Sequence, residues 1–364
     1  MTGRVKDKIK RVRDSIYFNS PDKVPIQDLF FWADFIENWK RYFNLKPDAD
    51  INKYYDYDMV LASSNIDPQL DNVKVIERNE NYVTYEGGFG SILKLDFRHP
   101  IPLFLRYAVS SAKELKKFTF ENPSDSKRHN MPFANTDCFN MQKPFSQQIE
   151  DYKDDFCILG HICEARETVW RVMGIESELM ALIDFPDEIR QFAETAADFN
   201  IELGRNQLKN ENINGLIIYG DVAYKNGLLM SPRLWKEIYY PPLKRIVREL
   251  KKFEKPIIYH TDGNYLCIIE DFIEIGIDAL HPNEAKAGID VVKLREKYGK
   301  KIAYFCNIDV SKTLTGSKEQ IKNELEYKIK AAEGGGFLPG GDDISSDVPP
   351  ENYDYYIKLL KKLR

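Results

Sequence analysis

The amino-acid sequence lacks any long apolar run. No stretch approaches the about 18 consecutive apolar residues that a membrane-spanning helix needs, and the first residues have no apolar core typical of signal peptides. These absences predict neither a membrane span nor secretion, so we expect a cytoplasmic protein.

Paired cysteines are also missing. The five cysteines are odd in number and form no Cys-x-x-Cys pair, and most lie in apolar stretches, which predicts reduced thiols. They are Cys138, Cys157, Cys163, Cys267 and Cys306. Cys306 could be a thiolate ligand or a nucleophile, but a lone cysteine beside Phe305 is predicted to be inert core packing.

No block of one charge sign dominates the sequence. The net charge is -5, and lysines are mixed with acids along the chain, so nucleic acid is not an expected partner. The basic residues within 6–13 are predicted to form a solvated helix face. Glycine-rich phosphate fingerprints are absent, which disfavours a nucleotide-binding sheet.

What the sequence does contain, from residue 156 onward, is an alternation of short apolar strands with amphipathic helices. A parallel sheet with crossover helices requires this pattern. The candidate strands are 157–160, 216–219, 257–259, 279–280, 302–305 and 337–338. Ser231 and Pro232 predict the start of a helix that runs to about Phe253, and Ser317 with Gln320 predicts a capping box.

The N-terminal third is less regular. It contains a basic helix, a strand-like segment at 24–30, a helical segment at 34–43 and a hairpin at 82–97. No linker rich in Pro, Gly and Ser divides the chain. The sequence therefore predicts one domain over residues 1–364, a TIM-type (β/α)8 barrel with an N-terminal helical and β-hairpin decoration.

Polar or ionisable residues follow nearly every candidate strand. In a barrel these positions meet at the mouth where the strands end, which is where catalysis takes place. They are His161, Glu164, Asp221, His260, Asp262, His281, Glu284, Asn307, Asp309, Asp342 and Asp343. Asp221 directly follows a buried strand, so its carboxylate needs a substrate cation, a histidine or a backbone cap as partner.

The most specific segment is His260-x-Asp262-Gly263. An imidazole and a carboxylate two residues apart can ligate Zn²⁺, which takes nitrogen and oxygen donors. Alternatively, the carboxylate orients the imidazole as a general acid or base. In a third, structural interpretation, His260 hydrogen-bonds within the rim and Asp262 shapes the turn.

The C-terminal half contains four motifs in a fixed order: His-x-Asp-Gly-Asn at 260–264, Gly-Ile-Asp-Ala-Leu-His-Pro-Asn-Glu at 276–284, Asn-Ile-Asp at 307–309 and Gly-Gly-Gly-Phe-Leu-Pro at 334–339. In these motifs the chain resembles the uroporphyrinogen decarboxylase superfamily. This resemblance implies a TIM-type barrel, commonly a homodimer. The superfamily includes the decarboxylase of haem synthesis and cobamide-dependent methyltransferases.

Two departures from the family patterns bear on the reaction. The decarboxylase has an Arg-Gln-Ala-Gly-Arg motif for its polycarboxylate substrate, whereas residues 27–34 here are acidic and aromatic without an arginine, so uroporphyrinogen decarboxylation is not expected. The zinc methyltransferases hold zinc with His-x-Cys and a later Cys. Here those positions carry His260-x-Asp262 and Asp342 or Asp343, which implies an oxygen-rich metal site, with Zn²⁺ as its metal, that suits polarisation of an oxygen leaving group.

The leading hypothesis is a corrinoid-linked methyltransferase. It would move a methyl group from a small methoxylated or N-methylated substrate to a corrinoid held by a partner protein. Its predicted catalytic residues are Asp221, His260 and Glu284, and its metal ligands His260, Asp262, Asp342 and Asp343. The predicted substrate-binding residues are Phe31, Trp32, His161, Glu164, Tyr224 and Asn307.

Two alternatives remain open. One is a decarboxylase or lyase of a non-porphyrin carboxylic acid, with Asp221 and His260 as polar catalysts. The other is a barrel that binds corrinoid or another ligand without turnover.

Overall fold

The computed structural model describes residues 3–62, 64–97, 101–131 and 143–364. The strands are β1 (Met59–Leu61), β2 (Lys74–Arg78), β3 (Tyr82–Glu86), β4 (Ile92–Asp96), β5 (Leu103–Arg106), β6 (Cys157–Cys163), β7 (Ile213–Tyr219), β8 (Ala223–Tyr224), β9 (Gly227–Leu228), β10 (Ile257–His260), β11 (Ala279–His281), β12 (Ala303–Asn307) and β13 (Phe337–Gly340). The α-helices are α1 (Gly3–Ile16), α2 (Ala33–Tyr42), α3 (Ile51–Tyr55), α4 (Lys127–Asn130), α5 (Phe145–Tyr152), α6 (Ala165–Met173), α7 (Ile175–Asp184), α8 (Pro186–Leu208), α9 (Pro232–Ile238), α10 (Tyr240–Leu250), α11 (Ile269–Ile275), α12 (Val291–Tyr298), α13 (Lys318–Lys328) and α14 (Pro350–Leu363).

Seven strands form one curled parallel sheet in the order β1-β6-β7-β10-β11-β12-β13. All six predicted strands overlap strands of this sheet, although their ends differ by up to three residues, since β6 continues to Cys163 and β7 begins at Ile213. Strand β1 is an addition that the sequence reasoning missed. Helices follow most of these strands, so the α/β class and the parallel sheet are confirmed.

The segment before α2 lies against both edges of this sheet. The Asp58 amide, directly before β1, donates to Ile26 O at 2.9 Å, and the Ile344 amide, after β13, donates to Phe30 O at 3.1 Å. The strand-like stretch at 24–30 is thus hydrogen-bonded to both edges without forming a strand, and an isolated bridge between Phe31 and Ile344 directly follows it. In the part of the chain that the structure describes, the parallel sheet therefore has seven strands where a (β/α)8 barrel has eight, and this segment lies between its two edges.

The inner core of the curled sheet is small and apolar. Leu159, Ile217 and Ile258 pack with Val12 and Ile16 of α1, which covers the end of the sheet where the strands begin. The polar candidate residues lie at the opposite end, where the strands finish. This arrangement puts the candidate site at the predicted end of the sheet.

The hairpin at 82–97 is β3 and β4, the middle pair of a four-stranded antiparallel sheet, β2-β3-β4-β5. Val83, Tyr85, Leu93 and Leu95 form its own apolar cluster. The predicted N-terminal β decoration is therefore present and larger than expected.

Two local predictions need correction. The helix expected from Ser231 to about Phe253 is two helices, α9 and α10, because Pro241 and Pro242 start a new helix after Tyr239. The basic face of α1 is only partly solvated, since the Lys8 ammonium is buried and donates to Asp56 at 2.6 Å. The capping box of Ser317 and Gln320 is confirmed.

Four of the five cysteines are described, and all four are free thiols, as predicted. Cys138 and also His99 lie outside the described residues. No helix among the described ranges is both long and apolar enough to span a membrane.

Candidate active site

Side chains from the ends of four strands of the curled sheet, β7, β10, β11 and β13, meet at its mouth. His260 ends β10, Asp221 follows β7 and Asp262 follows β10, while Glu284 and the pair Asp342–Asp343 come after β11 and β13. Neighbouring parallel strands end at the same edge, which is why residues far apart in sequence come together here. The strand-end positions predicted for catalysis and metal binding are therefore grouped.

The His260 ring is the centre of this group. Its Nε2 lies 3.5 Å from Asp221 Oδ1 and 3.8 Å from Asp262 Oδ1, while its Nδ1 lies 2.7 Å from Nδ1 of His281. Burial lowers the pKa of His260, but the hydrogen bond with Asp221 and the charges of Asp262 and Asp221 outweigh burial and raise the pKa to about 9. His260 can therefore hold a proton that faces the mouth.

The carboxylates around His260 differ in their pKa. Burial acts to raise the pKa of Asp221, yet its hydrogen bond with His260 prevails and lowers the pKa to about 2. Burial raises the pKa of Asp262 to about 7, and the charges of Asp221 and Glu284 add to this while His260 opposes it. Burial and the neighbouring acids also raise the pKa of Asp342 well above its usual range. The mouth therefore has an excess of negative charge that attracts protons or cations.

Loop contacts hold these acids in place. The Asp262 amide donates to Asp221 Oδ1 at 3.1 Å, and the Gly263 amide donates to Glu284 Oε2 at 2.7 Å. Glu284 also pairs with Lys286 at 2.5 Å. Glu284 thus holds the backbone of the His260 loop in position. Its catalytic role stays a prediction.

Two groups of donors could hold a metal ion. They are Asp221 with His260 and Asp262, and Asp262 with Asp342 and Asp343, and within each group the ligand atoms lie within 4.8 Å of one another. Asp342 Oδ2 is buried and accepts no hydrogen bond from the described residues. A buried carboxylate oxygen without a donor is costly unless a cation or a proton satisfies it, so these residues fit a divalent ion.

Asp28 anchors the loop that carries Asp342 and Asp343, through a hydrogen bond to the backbone of Gly341. This buried carboxylate accepts hydrogen bonds from the Gly341 amide and from the hydroxyls of Tyr353 and Tyr57. Burial raises its pKa to about 7 although all three hydrogen bonds act to lower it. Asp28 therefore lies outside the mouth and supports the loop.

Asp28→Asn is expected to change the pH dependence of stability. The pKa of Asp28 in the folded protein lies above its unfolded value of about 3.9. As the pH rises from about 4 to about 7, the unfolded chain releases this proton while the folded protein keeps it, so the free energy of unfolding of wild type falls. The variant lacks this titration. The free energy of unfolding of the variant minus that of wild type should therefore increase by up to about 4 kcal/mol from about pH 4 to about pH 7. Urea unfolding at several pH values measures the difference. Asp48→Asn, at an exposed carboxylate, is the control, and a pH-independent Asp28→Asn difference would contradict the prediction.

The predicted substrate-binding residues do not form one surface. Phe31 stacks on Phe35 and Tyr57 in the core, Trp32 is partly exposed, and Tyr224 is exposed on the short β8–β9 hairpin. His161 is buried beside Tyr219, with ring centroids 5.2 Å apart. Their roles in binding stay predictions.

Two other candidates are buried inside the protein. Glu164 is buried at the end of β6, close enough to Gly220 that a Cβ there would lie 2.3 Å from its Cδ. The Asn307 amide donates to Asn283 O and Ile289 O and accepts from the Val291 amide. Asn307 is thus tied to the backbone before α12, and its substrate contact also stays a prediction.

Two aromatic residues at the mouth, Phe30 and Tyr219, are not among the predicted substrate-binding residues. Phe30, not Phe31, faces it, with its ring 6.1 Å from His260 and 5.8 Å from His281. The Tyr219 ring lies 4.5 Å from that of His260. Alternation along the extended segment could have separated Phe30 from Phe31, since successive side chains point to opposite faces.

A buried ion pair supports the Asp221 turn. Arg166 of α6 donates to Asp221 O and to Glu178 Oε2 at 2.9 Å, and Tyr239 OH donates to Glu178 Oε1 at 2.7 Å. Arg166 and Glu178 are almost fully buried. No local pattern in the sequence indicates this contact, because its partners come from separate helices and a loop.

Comparisons with known proteins agree on the family and the fold. A model of the family described as "Uroporphyrinogen decarboxylase (URO-D)" matches residues 145–363, more than half of the chain. The chain is 29% identical over 138 residues to the chloroplastic uroporphyrinogen decarboxylase of Nicotiana tabacum, which covers 37% of this chain and only 34% of that protein. In three dimensions it is similar to a methyltransferase from Methanosarcina mazei, with a TM-score of 0.66, 15% identity, and coverage of 97% of this chain and 98% of that one.

Proposed function

The chain belongs to the uroporphyrinogen decarboxylase family, and from this premise we propose that it is a methyltransferase that moves a methyl group from a small methoxylated or N-methylated substrate to a corrinoid protein. The observation that carries the proposal is the His260 Nε2 atom, which faces Asp221 and Asp262 at the mouth. An ether oxygen or a methylated amine is a poor leaving group, and such a mouth can activate it.

The residues at the mouth divide the work. His260 holds a proton, or a metal, toward the substrate, and Asp221 orients the ring through its hydrogen bond. Glu284 fixes the backbone of the His260 loop through Gly263. Phe30 and Tyr219 supply an aromatic wall beside the imidazole, which suits the apolar part of a small substrate.

A metal fits this mouth. Zn²⁺ accepts nitrogen and oxygen donors, and Asp262 belongs to both candidate groups, one with Asp221 and His260 and the other with Asp342 and Asp343. The buried Asp342 Oδ2 lacks another partner among the described residues. Zn²⁺ bound there would act as a Lewis acid on the leaving oxygen or nitrogen. Asp in place of thiolate makes the donor set harder, which favours oxygen substrates.

The charge at the mouth weighs against a polyanionic substrate. Asp221, Asp262, Glu284, Asp342 and Asp343 surround His260, and Lys286 at the rim is already paired with Glu284. A carboxylic acid entering as its anion would be repelled by the acids that are ionised, above all by Asp221, whose pKa, despite burial, is lowered to about 2 by His260. This argument favours the methyl-donor reading over a decarboxylase.

The acceptor and the assembly are part of the proposal. A separate corrinoid protein is the partner that the family resemblance implies, and a homodimer is the assembly that it implies. Similarity to a solved methyltransferase over nearly the whole chain supports group transfer as the reaction class.

The test is a methyl-transfer assay. The full chain is mixed with a reduced corrinoid protein and a panel of methoxylated and N-methylated compounds, and formation of methyl-corrinoid is followed by absorbance while the demethylated product is quantified. Methyl-corrinoid formation with one of these classes supports the proposal. Release of CO₂ from a carboxylic acid without methyl transfer would establish the decarboxylase instead, and tight corrinoid binding without turnover would establish the accessory role.

A further inference from the structure

A row of buried side chains lies directly behind His260. His281, which is fully buried, places its Nδ1 2.7 Å from Nδ1 of His260 and its Nε2 3.4 Å from Cys306 Sγ. Cys306 Sγ in turn lies 3.6 Å from Nε2 of Gln27, which also reaches Leu338 O at 3.3 Å. The row runs from the mouth into the core.

The contact between the two imidazoles determines which atom of His260 faces outward. Two ring nitrogens 2.7 Å apart share a single proton, so one ring donates to the other through Nδ1. The rings are stacked at 29° with centroids 5.0 Å apart, and Phe30 packs edge-on against both. A half-turn of the His260 ring would break this bond, so Nε2 stays toward Asp221 and Asp262.

We infer that His281 is a positioning residue that holds the His260 imidazole with Nε2 toward the carboxylates of the mouth. The inference rests on the proposed function only in taking His260 as the working imidazole. Histidines that ligate metals usually engage their second ring nitrogen with a protein partner, and loss of that partner typically weakens metal binding about 10–100-fold. His281 occupies that place for His260.

Cys306 has a supporting part in the same arrangement. Its sulfur is the partner of His281 Nε2, so it restrains the ring that restrains His260. The expectation that Cys306 is inert packing is correct as to burial but omits this contact. Cys157, a second buried thiol in the same inner core, makes no such contact and provides a matched comparison.

Zn²⁺ binding to the full-length protein tests the inference. Zn²⁺ alone is titrated in competition with a chromophoric chelator, and His281→Leu is expected to bind it about 10–100-fold more weakly than wild type. His281→Asn, whose amide oxygen can stand near the Nδ1 position and accept from His260, should bind close to wild type. Cys306→Ala should weaken binding more than Cys157→Ala does.

A second readout needs no metal. With only five histidines in the chain, ¹⁵N-histidine labelling of the metal-free protein should reveal a nitrogen–nitrogen coupling across the shared proton between His260 and His281. Absence of this coupling would overturn the inference, as would His281→Leu binding Zn²⁺ like wild type. If wild type binds no Zn²⁺, the coupling decides alone. Lack of methyl transfer with the coupling present would count against the proposed function and leave this inference standing.

Discussion

His260→Ala is expected to abolish Zn²⁺ binding and to lower the methyl-transfer rate by roughly 10²–10⁴-fold, the range that a positioned acid or base contributes. The imidazole is the one nitrogen donor of the proposed metal ligands, and its Nε2 faces both Asp221 and Asp262. Alanine removes the ligand and the proton together. Metal content after dialysis and the methyl-corrinoid assay measure the two losses separately.

A histidine away from the mouth supplies the control. His129 on α4 packs against the Phe145 ring at 5.2 Å, and His129→Ala should leave metal content and methyl transfer unchanged. Full retention of metal in His260→Ala would refute the assignment of His260 as a ligand. Retained metal with lost turnover would leave an acid–base role for the ring and move the metal to the aspartates.

Glu178→Leu is expected to produce the largest loss of stability, about 3–5 kcal/mol in the free energy of unfolding. Glu178 has no exposed side-chain area, and its removal leaves the buried Arg166 guanidinium without its counter-charge and the Tyr239 hydroxyl without its acceptor. Since Arg166 also donates to Asp221 O, the turn beside His260 should loosen as well. Urea unfolding measures the first effect and Zn²⁺ affinity the second.

Two further variants make this prediction specific. Arg166→Met with Glu178→Leu removes both charges and should recover part of the loss, because no buried charge remains unpaired. Asp187→Ala, which breaks an exposed pair with Arg190, should cost under about 1 kcal/mol. A Glu178→Leu loss as small as that of Asp187→Ala would contradict the account of the buried pair.

Much of the parallel sheet can be predicted from sequence because its signals are local. Apolar runs such as 257–259 and 337–338 mark strands, and Ser317 with Gln320 marks a helix start within four residues. The signals fail where a distant contact overrides them. The segment at 24–30 reads as a strand, yet its hydrogen bonds go to residues at two sheet edges, and the described structure assigns no strand to it.

The same distinction holds at the candidate site. Its members are identifiable because the ends of parallel strands converge at one end of the sheet, so His260, Asp262 and Asp342 could be selected from their positions alone. The direction in which each side chain points could not be predicted from its position in the sequence. Phe31 turned to the core while Phe30 faced His260, and Asn307 turned to the backbone before α12.

By itself, the sequence determined the α/β class, the order of the strands from residue 156 onward, the free state of the described cysteines and the strand ends that carry the acids. These properties follow from periodicity and spacing, which act over a few residues. Only the tertiary structure decided that His281 backs His260 from 21 positions away, that Arg166 and Glu178 support Asp221, and that Asp28 anchors the loop of Asp342. Such pairings depend on how separate strands and helices pack, and no local pattern encodes which distant side chain fills a given place.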